Sequence, residues 1–277
     1  MKKILVLLTA LCLMLTSCAA KTNKEVEDNP VKNPVIRLST TTSVNDSGLL
    51  PYLQPQFEAD TGYKLEITSA GTGAAIEKGR TGDADCLLVH AKASEEEFIS
   101  QGFGVSRVPF MYNFFVIVGP EGDPAGVKNA KTASEAFKLI ADSKSTFVSR
   151  GDESGTHKAE LKIWKIAKLE PKGDWYVSLG DGMGKCITFA SEKQAYVLTD
   201  KATYLAHEKK DTLKILLEQS DEQKNTYSMI AVSPDKWPDA NIEGANAFIE
   251  WMTSEKALKL IEEYGKADYG EQLFFVG

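Results

Sequence analysis

Short β-branched runs alternate along this chain with stretches whose apolar residues recur at helical spacing. The first predicted strands are Val35–Leu38, Lys64–Ile67 and Cys86–Val89. Between the first two, the helix has an apolar face of Leu49, Leu50, Leu53 and Phe57 and ends at Gly62; a short helix through Ile76 precedes the third. A strand-helix-strand-helix-strand order favours a mostly parallel sheet covered by helices, so the sequence predicts an α/β fold.

A second group of elements begins near Gly119-Pro120, where we expect the chain to enter another lobe. The predicted strand Phe114–Val118 leads into it, and its own predicted strands are Thr146–Val148 and Ala195–Thr199. Its predicted helices run from Thr132 to Ile140 and through Leu161, Trp164 and Ala167, and Ser228–Val232 is predicted to be the returning strand. The last helical faces carry Ala247, Phe248, Trp251, Leu258 and Ile261 and should pack on the first lobe. We therefore predict that residues 34–114 and 226–277 form lobe 1 and residues 115–225 form lobe 2.

The N-terminus is predicted to be an export signal followed by a tether. Lys2 and Lys3 precede an apolar run that ends at Leu15, which is shorter than the roughly 20 residues of a membrane span. The sequence Leu15-Thr16-Ser17-Cys18 resembles the lipobox of bacterial lipoproteins, in which the chain is cut before the cysteine and the thiol is acylated. Residues 1–17 are thus a predicted signal, Cys18 a predicted lipidation site, and the polar residues 18–33 a flexible tether.

Charge and cysteine content narrow the function classes. The formal charge of the 277 residues is −7, and removal of the signal takes away two lysines and leaves −9, which makes nucleic acid an unsuitable partner. Beyond Cys18 the chain has two cysteines, Cys86 and Cys186, for which a disulfide is one option. Because Cys86 opens a buried strand and Cys186 belongs to the other lobe, we predict two free thiols instead.

Sequence motifs argue against an enzyme or a metal protein. The serine of Gly151-Asp152-Glu153-Ser154-Gly155 stands one place too late for a nucleophile elbow. The glycine-rich Gly180–Cys186 lacks the phosphate-loop spacing and its Ser or Thr. His90, His157 and His207 share no metal-ligand spacing. We expect no catalytic residues, cofactor or metal site.

Three strand-to-helix turns are rich in hydroxyls and glycine: Thr40–Ser43, Gly71–Gly73 and Ser149–Thr156. Such turns present free backbone N–H groups at the positive end of a helix, and they gather at the carboxyl edge of an α/β sheet. Helix capping alone is the alternative explanation of these residues. Arg150 adds a guanidinium that can make two parallel hydrogen bonds to an oxyanion, its alternative being a salt bridge to Asp152 or Glu153.

Several segments together resemble the tungstate-binding proteins of bacterial ABC importers. They are Thr40–Ser43 with Gly48–Leu50, Gly82–Asp85 with Leu87–His90, Ser149–Asp152 with Ser154–His157, and Tyr196–Asp200. The resemblance spans Val35 to about Ile261. It implies a two-lobed type II periplasmic-binding-protein fold with a double-strand hinge, closing on tungstate or molybdate.

The same resemblance implies the binding residues and the partners. The oxyanion would be held by Thr41, Thr42, Ser43, Thr72, Arg150, Ser154, Gly155 and Thr156. The protein would be a monomer, anchored by its lipid to the outer face of the cell membrane, and it would deliver the anion to an ABC permease with its ATPase.

Other anions and another role remain open from the sequence. Phosphate carries a proton near neutral pH, so a phosphate site needs a hydrogen-bond acceptor. Phosphate binders have an aspartate where this chain has His90, which can donate. Asp83, Asp85 or Asp152 could supply the acceptor instead. Sulfate shares the need for donors only. A different class is an anion-gated sensor of the same fold.

Overall fold

The computed structural model describes residues 31–208 and 211–277. The predicted signal, Cys18 and most of the predicted tether lie outside these residues. The described chain forms ten strands, β1 to β10, at Val35–Thr41, Lys64–Ala70, Cys86–Val89, Val108–Pro120, Phe147–Ser149, Tyr176–Ser178, Tyr196–Asp200, Leu213–Glu218, Lys224–Ala231 and Phe275–Val276.

Helices cover this sheet on both faces. The described part of the chain has α1 to α11 at Thr42–Asp46, Leu49–Thr61, Thr72–Thr81, Lys92–Ser100, Ala133–Ser143, Gly155–Ile166, Met183–Lys193, Lys201–Ala206, Ile242–Met252, Glu255–Glu263 and Lys266–Tyr269. Two short 3-10 helices lie at Val127–Asn129 and Asp221–Gln223. Among these residues, no helix has the length and apolar character needed to cross a membrane.

The strand order is β2-β1-β3-β9-β4-β7-β5-β6, with β8 and β10 also paired to β4. As predicted, β1 is parallel to β2 and β3, and α2 ends at Gly62, whose φ of 75° suits a residue without a side chain. The predicted apolar face of α2, at Leu49, Leu50, Leu53 and Phe57, and the whole of β3 are buried. The sheet is more mixed than predicted, because β9 enters antiparallel beside β3.

Strand β4 connects the two halves of the sheet. Its residues 108–114 pair with β9, and residues 115–118 pair with β7. The predicted strand Phe114–Val118 is therefore too short at its N-terminal end. The apolar run is interrupted there by Asn113, a fully buried residue whose Oδ1 accepts a hydrogen bond from Asn225 and whose Nδ2 has no partner among the described residues.

The second half has its own parallel strands and its own aromatic core. β5 pairs in parallel with β6 and β7, and the Phe137 and Trp164 rings lie 4.3 Å apart beneath β5. Helix α5 begins at the predicted Thr132, whose hydroxyl accepts from the Glu135 amide. Leu161 of α6 faces solvent, and Ile163 and Trp164 form the buried face of that helix.

Cys86 in β3 and Cys186 in α7 are free and buried, which confirms the prediction of two unpaired thiols. Burial raises the pKa of each thiol to about 12, so both stay protonated at neutral pH.

Candidate functional site

The carboxyl ends of β1, β2 and β3 bring three turns side by side. Thr41 at the end of β1 stands opposite Ala70 of β2, which sets the turn holding Thr41 and Ser43 beside the start of α3 at Thr72. Thr40 pairs with Leu88 of β3, so His90 emerges next to the same turn. These turns form the first-half wall of the candidate site.

In the second half, the turn between β5 and α6 carries the predicted anion-binding residues. Gly151 has a φ of 61°, and a Cβ on it would lie 1.8 Å from the Ser178 hydroxyl, so only glycine fits. The carbonyl of Arg150 accepts a hydrogen bond from the Asp181 amide, which ties this turn to the one after β6. The backbone of Arg150 is thereby held from both sides.

The two walls meet at His90 and Gly155. A Cβ on Gly155 would lie 2.4 Å from Cε1 of His90, so the start of α6 rests directly against the imidazole ring. A second contact joins the Lys158 ammonium of α6 to the Ser94 hydroxyl of α4 at 3.3 Å. Helix α6 therefore contacts the first half of the sheet at two points, His90 and Ser94.

Buried hydroxyls without a hydrogen-bond partner among the described residues include Ser149 Oγ at the end of β5. Thr72 Oγ1 and Thr156 Oγ1, at the starts of α3 and α6, are also without a partner. Both side chains are almost fully buried, with 0% and 2% exposure. Buried hydroxyls in native proteins nearly always have a partner, because an unpaired one costs about 1–3 kcal/mol. Each lies in the first turn of a helix, Thr72 in the first half of the sheet and Thr156 in the second.

Arg150 is 4% exposed, and it forms an ion pair with Asp152, which was the alternative role expected for this residue. Its Nε and Nη2 donate to Asp152 Oδ2 at 3.1 and 2.5 Å. Burial opposes ionisation of Asp152, but hydrogen bonds from Ser154 and Arg150 outweigh it and lower the carboxyl pKa. Nη1 has no hydrogen-bond partner within residues 31–208 and 211–277, so the guanidinium keeps a free donor edge.

The remaining predicted residues divide between the site and helix capping. Ser154 caps α6, since its hydroxyl accepts from the His157 amide at 3.2 Å. The first amides of α6, at Gly155 and Thr156, have no partner within the helix. Thr42 is half-buried and its hydroxyl makes no hydrogen bond in the described chain, whereas the Thr41 and Ser43 hydroxyls lie 3.1 Å apart.

His90 joins the site although sequence did not place it among the binding residues. Its Nε2 lies 3.1 Å from Ser43 Oγ and its Nδ1 lies 2.8 Å from Asn225 Oδ1. Burial, reinforced by the charge of Arg150 and only partly offset by Asn225, lowers its pKa to about 4. The ring is therefore neutral at pH 7. Because Nδ1 donates to Asn225, Nε2 of the neutral ring is an acceptor. The sequence predicts a donor at His90, but Nε2 can donate only when the ring is protonated.

Of the three aspartates proposed as an acceptor for phosphate, two are remote from the site. Asp83 and Asp85 precede β3, at the end opposite His90, and Asp85 binds Arg37 at 2.5 Å. Asp152 lies at the site but is engaged by Arg150 and by the Ser154 amide. Buried Asp200 caps α8, with both oxygens bound by Thr203.

A cavity of about 860 Å³ opens beside the His90–Gly155 contact. Its lining carries five basic side chains against two acidic ones: Lys92, Arg107, Lys158, Lys162 and Lys224 against Glu96 and Glu222. The lining of this cavity is thus locally positive in a protein of net negative charge, and Gly155 is the predicted anion-binding residue that lines it.

Two α/β halves that meet over buried donors are the arrangement of a two-lobed solute-binding protein. A family model described as a PBP superfamily domain matches residues 28–256. The tungstate-binding protein TupA of Peptoclostridium acidaminophilum is 48% identical, with coverage of 99% of this chain and 98% of that protein. TupA of Campylobacter jejuni is 40% identical over 80% of this chain and 84% of its own length. The chain belongs to the PBP superfamily and, within it, to the family of these tungstate-binding proteins.

Solved structures agree with this assignment. A tungstate ABC transporter structure from Geobacter sulfurreducens superposes with a TM-score of 0.77 at 48% identity, covering 83% of this chain and 98% of that one. The tungstate-binding protein TupA from Desulfovibrio alaskensis G20 gives a TM-score of 0.77 at 43% identity, covering 88% and 99%. The two-lobed type II binding-protein fold expected from the sequence is confirmed.

Proposed function

We propose that this protein binds tungstate between the two halves of its sheet and presents it to an ABC importer. The observation that carries the proposal is the pair of unpartnered hydroxyls, Thr72 and Thr156, which belong to opposite halves and, like Arg150, are almost fully buried. The names of the relatives at 40–48% identity support tungstate as the ligand.

The chemistry of the site favours an anion without protons. Tungstate offers only lone pairs, and the site offers the hydroxyls of Thr72 and Thr156, the first amides of α6 and the free edge of Arg150. The carboxylate of Asp152 is occupied by Arg150 and Ser154, which disfavours monohydrogen phosphate. Molybdate has the same charge and nearly the same size and belongs to the same proposal.

We further propose that lobe 1 comprises residues 34–114 and 226–277 and that lobe 2 comprises residues 115–225. The chain passes between them within β4 and again at the start of β9, and these passages form the hinge. The basic cavity beside His90 and Gly155 is the entrance, since its charge attracts an anion. Closure brings the Arg150 turn over the Ser43 turn.

The cellular setting belongs to the same proposal. The protein acts outside the cytoplasm as a monomer, and the signal 1–17 with lipidation at Cys18 attaches it to the outer face of the cell membrane. A permease with its ATPase recognises the closed form.

Thermal melting with four anions tests the ligand. A ligand at a thousandfold excess over its Kd stabilises the folded state by about 4 kcal/mol, which for a chain of this size raises the melting temperature by roughly 10 °C. We expect shifts of this size with tungstate and molybdate and much smaller shifts with sulfate and phosphate. A tungstate shift no larger than that with sulfate would contradict the proposal, and a shift with phosphate alone would replace the ligand.

Removing either unpartnered hydroxyl should separate binding from stability. Thr72→Val or Thr156→Val should weaken tungstate binding about 10- to 100-fold, because each hydroxyl donates to a charged ligand. The unliganded variants should be at least as stable as the wild type, since the lost hydroxyl was buried without a partner. Calorimetric titration and urea unfolding measure the two effects.

Thr203→Val is the matched control for these variants. Its buried hydroxyl donates to Asp200 at 2.6 Å, so this variant should lose about 1–3 kcal/mol of stability and keep its affinity for tungstate. If Thr72→Val and Thr156→Val behave like Thr203→Val, their hydroxyls serve the fold and not a ligand.

A further inference from the structure

The imidazole of His90 touches both walls of the site. Its Nε2 is hydrogen-bonded to Ser43 of α1, and its Nδ1 is hydrogen-bonded to Asn225 of β9. Gly155 of α6 packs against its ring. Tyr227 packs on its face with ring centroids 4.9 Å apart. A side chain in this position is a candidate for controlling the protons that the site presents to an anion.

The neighbours of Asn225 define the tautomer of His90. Asn225 Nδ2 donates to Asn113 Oδ1 and to the Tyr227 oxygen, each at 2.9 Å, which uses both of its hydrogens. Its Oδ1 is therefore an acceptor, and His90 Nδ1 must carry the hydrogen that it receives. Because the unliganded ring is neutral, Nε2 then has a lone pair directed at Ser43.

While His90 is neutral, the hydroxyl protons of the first wall are used in hydrogen bonds within that wall. Ser43 donates its single hydroxyl proton to Nε2 of His90, and Thr41 donates its own to Ser43 Oγ over 3.1 Å. Neither proton is left for an anion that offers only lone pairs. If Ser43 turned to such an anion, Nε2 would be left buried and unpaired, at a cost of about 1–3 kcal/mol.

We propose that the anion binds together with one proton, which His90 takes from solvent onto Nε2. The new Nε2–H bond donates to Ser43 Oγ, so the Ser43 hydroxyl reverses and its proton becomes available to the anion or to Thr41. Thr41 is released in the same way. This inference rests on the proposed function, and it makes His90 a positioning residue that sets the direction of the hydroxyls of the first wall.

The charges around the ring favour this change when an anion arrives. Without ligand, burial and the positive charge of Arg150 keep the ring neutral, with a pKa of about 4. Asp152 pairs with Arg150, the neutral Tyr227 covers the ring face, and Lys92 and Lys158 line the cavity beside it. A dianion near Ser43 offsets the nearby positive charges and raises the pKa of His90.

Calorimetric titration of the whole protein with sodium tungstate tests the proton directly. Titrations between about pH 6 and pH 8.5, each in two buffers with different heats of ionisation, give the number of protons taken up. We expect uptake approaching one proton per anion at the lower end, with a Kd that weakens by up to about tenfold per pH unit as pH rises. Nitrogen-15 NMR of the imidazoles should place the hydrogen on Nδ1 alone without ligand and on both nitrogens with it.

Two histidine variants assign the proton. His90→Gln should bind without proton uptake and with a Kd independent of pH, whereas His157→Gln, at the second wall, should keep the wild-type uptake. Wild-type binding of tungstate without proton uptake across this range would overturn the proposal, as would an unliganded His90 already protonated at Nε2. Those results would leave tungstate binding itself intact, while failure to bind tungstate at all would reject the proposed function.

Discussion

Replacing Arg150 by alanine should weaken tungstate binding by about a thousandfold. The guanidinium is buried, its Nη1 has no partner within the described residues, and the dianion would lose its nearest cation. Truncating one member of a buried, hydrogen-bonded charge pair costs about 2–5 kcal/mol, and 4 kcal/mol is about a thousandfold in Kd. Arg150→Lys should recover only part of the loss, because an ammonium lacks the planar fork. Calorimetric titration measures both variants.

The unliganded Arg150→Ala protein should melt within a few degrees of the wild type. Asp152, its partner, belongs to the same turn and has a side chain 19% exposed to water, so the orphaned carboxylate stays partly hydrated. Arg37→Ala is the matched control. Its ion pair with Asp85 lies at the other end of β3, so its loss should lower stability and leave affinity unchanged. An Arg150→Ala protein that unfolds early without ligand would mean that this arginine holds the fold.

Glu160→Gln should make the protein more stable at neutral and higher pH. Glu160 of α6 is 2% exposed, and its Oε1 accepts hydrogen bonds from Trp164 and Tyr176 at 3.0 and 2.7 Å. Burial outweighs these bonds and raises its pKa from 4.5 to about 7. Between pH 4.5 and about pH 7, the Glu160 carboxyl is protonated in the folded state and ionised in the unfolded state. The free energy of unfolding therefore falls as pH rises through this range.

The shift corresponds to about 3 kcal/mol, which the glutamine variant should recover. Its stability advantage over the wild type should be absent below about pH 4.5, grow through this window and level off above about pH 7. Urea unfolding at several pH values measures it, and Glu170→Gln, an exposed residue of the same half, is the control. A constant difference at all pH values would show that Glu160 ionises normally in the folded protein.

Sequence pattern located the elements whose interiors are purely apolar. β3 and α2 have the predicted bounds because every inward residue is apolar and a glycine ends the helix. Helix α4 was missed because its buried face includes Glu95, which pairs with Arg107 at 2.5 Å and interrupts the apolar repeat. Helix α7 has buried residues at helical spacing, so this signal was present in its sequence.

At the site, sequence identified the turns but not how their side chains are used. Ser154 is the N-cap of α6 and its hydroxyl caps that helix, whereas Thr72 is the first residue of α3 and its hydroxyl has no partner in the described chain. The position of His90 against Ser43 and Asn225 depends on residues 47 and 135 positions away. Spacing within one segment carries no information about such contacts.

The insertion of β9 between β3 and β4 determines when this protein can finish folding. Leu87 of β3 pairs with Ile230 of β9, so an edge of the first parallel strands stays open until almost the whole chain has been made. Pairings of such long sequence separation form slowly, because the loop must close before the contact stabilises it. A nascent chain that stops before residue 224 would expose the buried edge of β3, which is a template for aggregation. The first half of the sheet therefore cannot be completed until β9 has been synthesised.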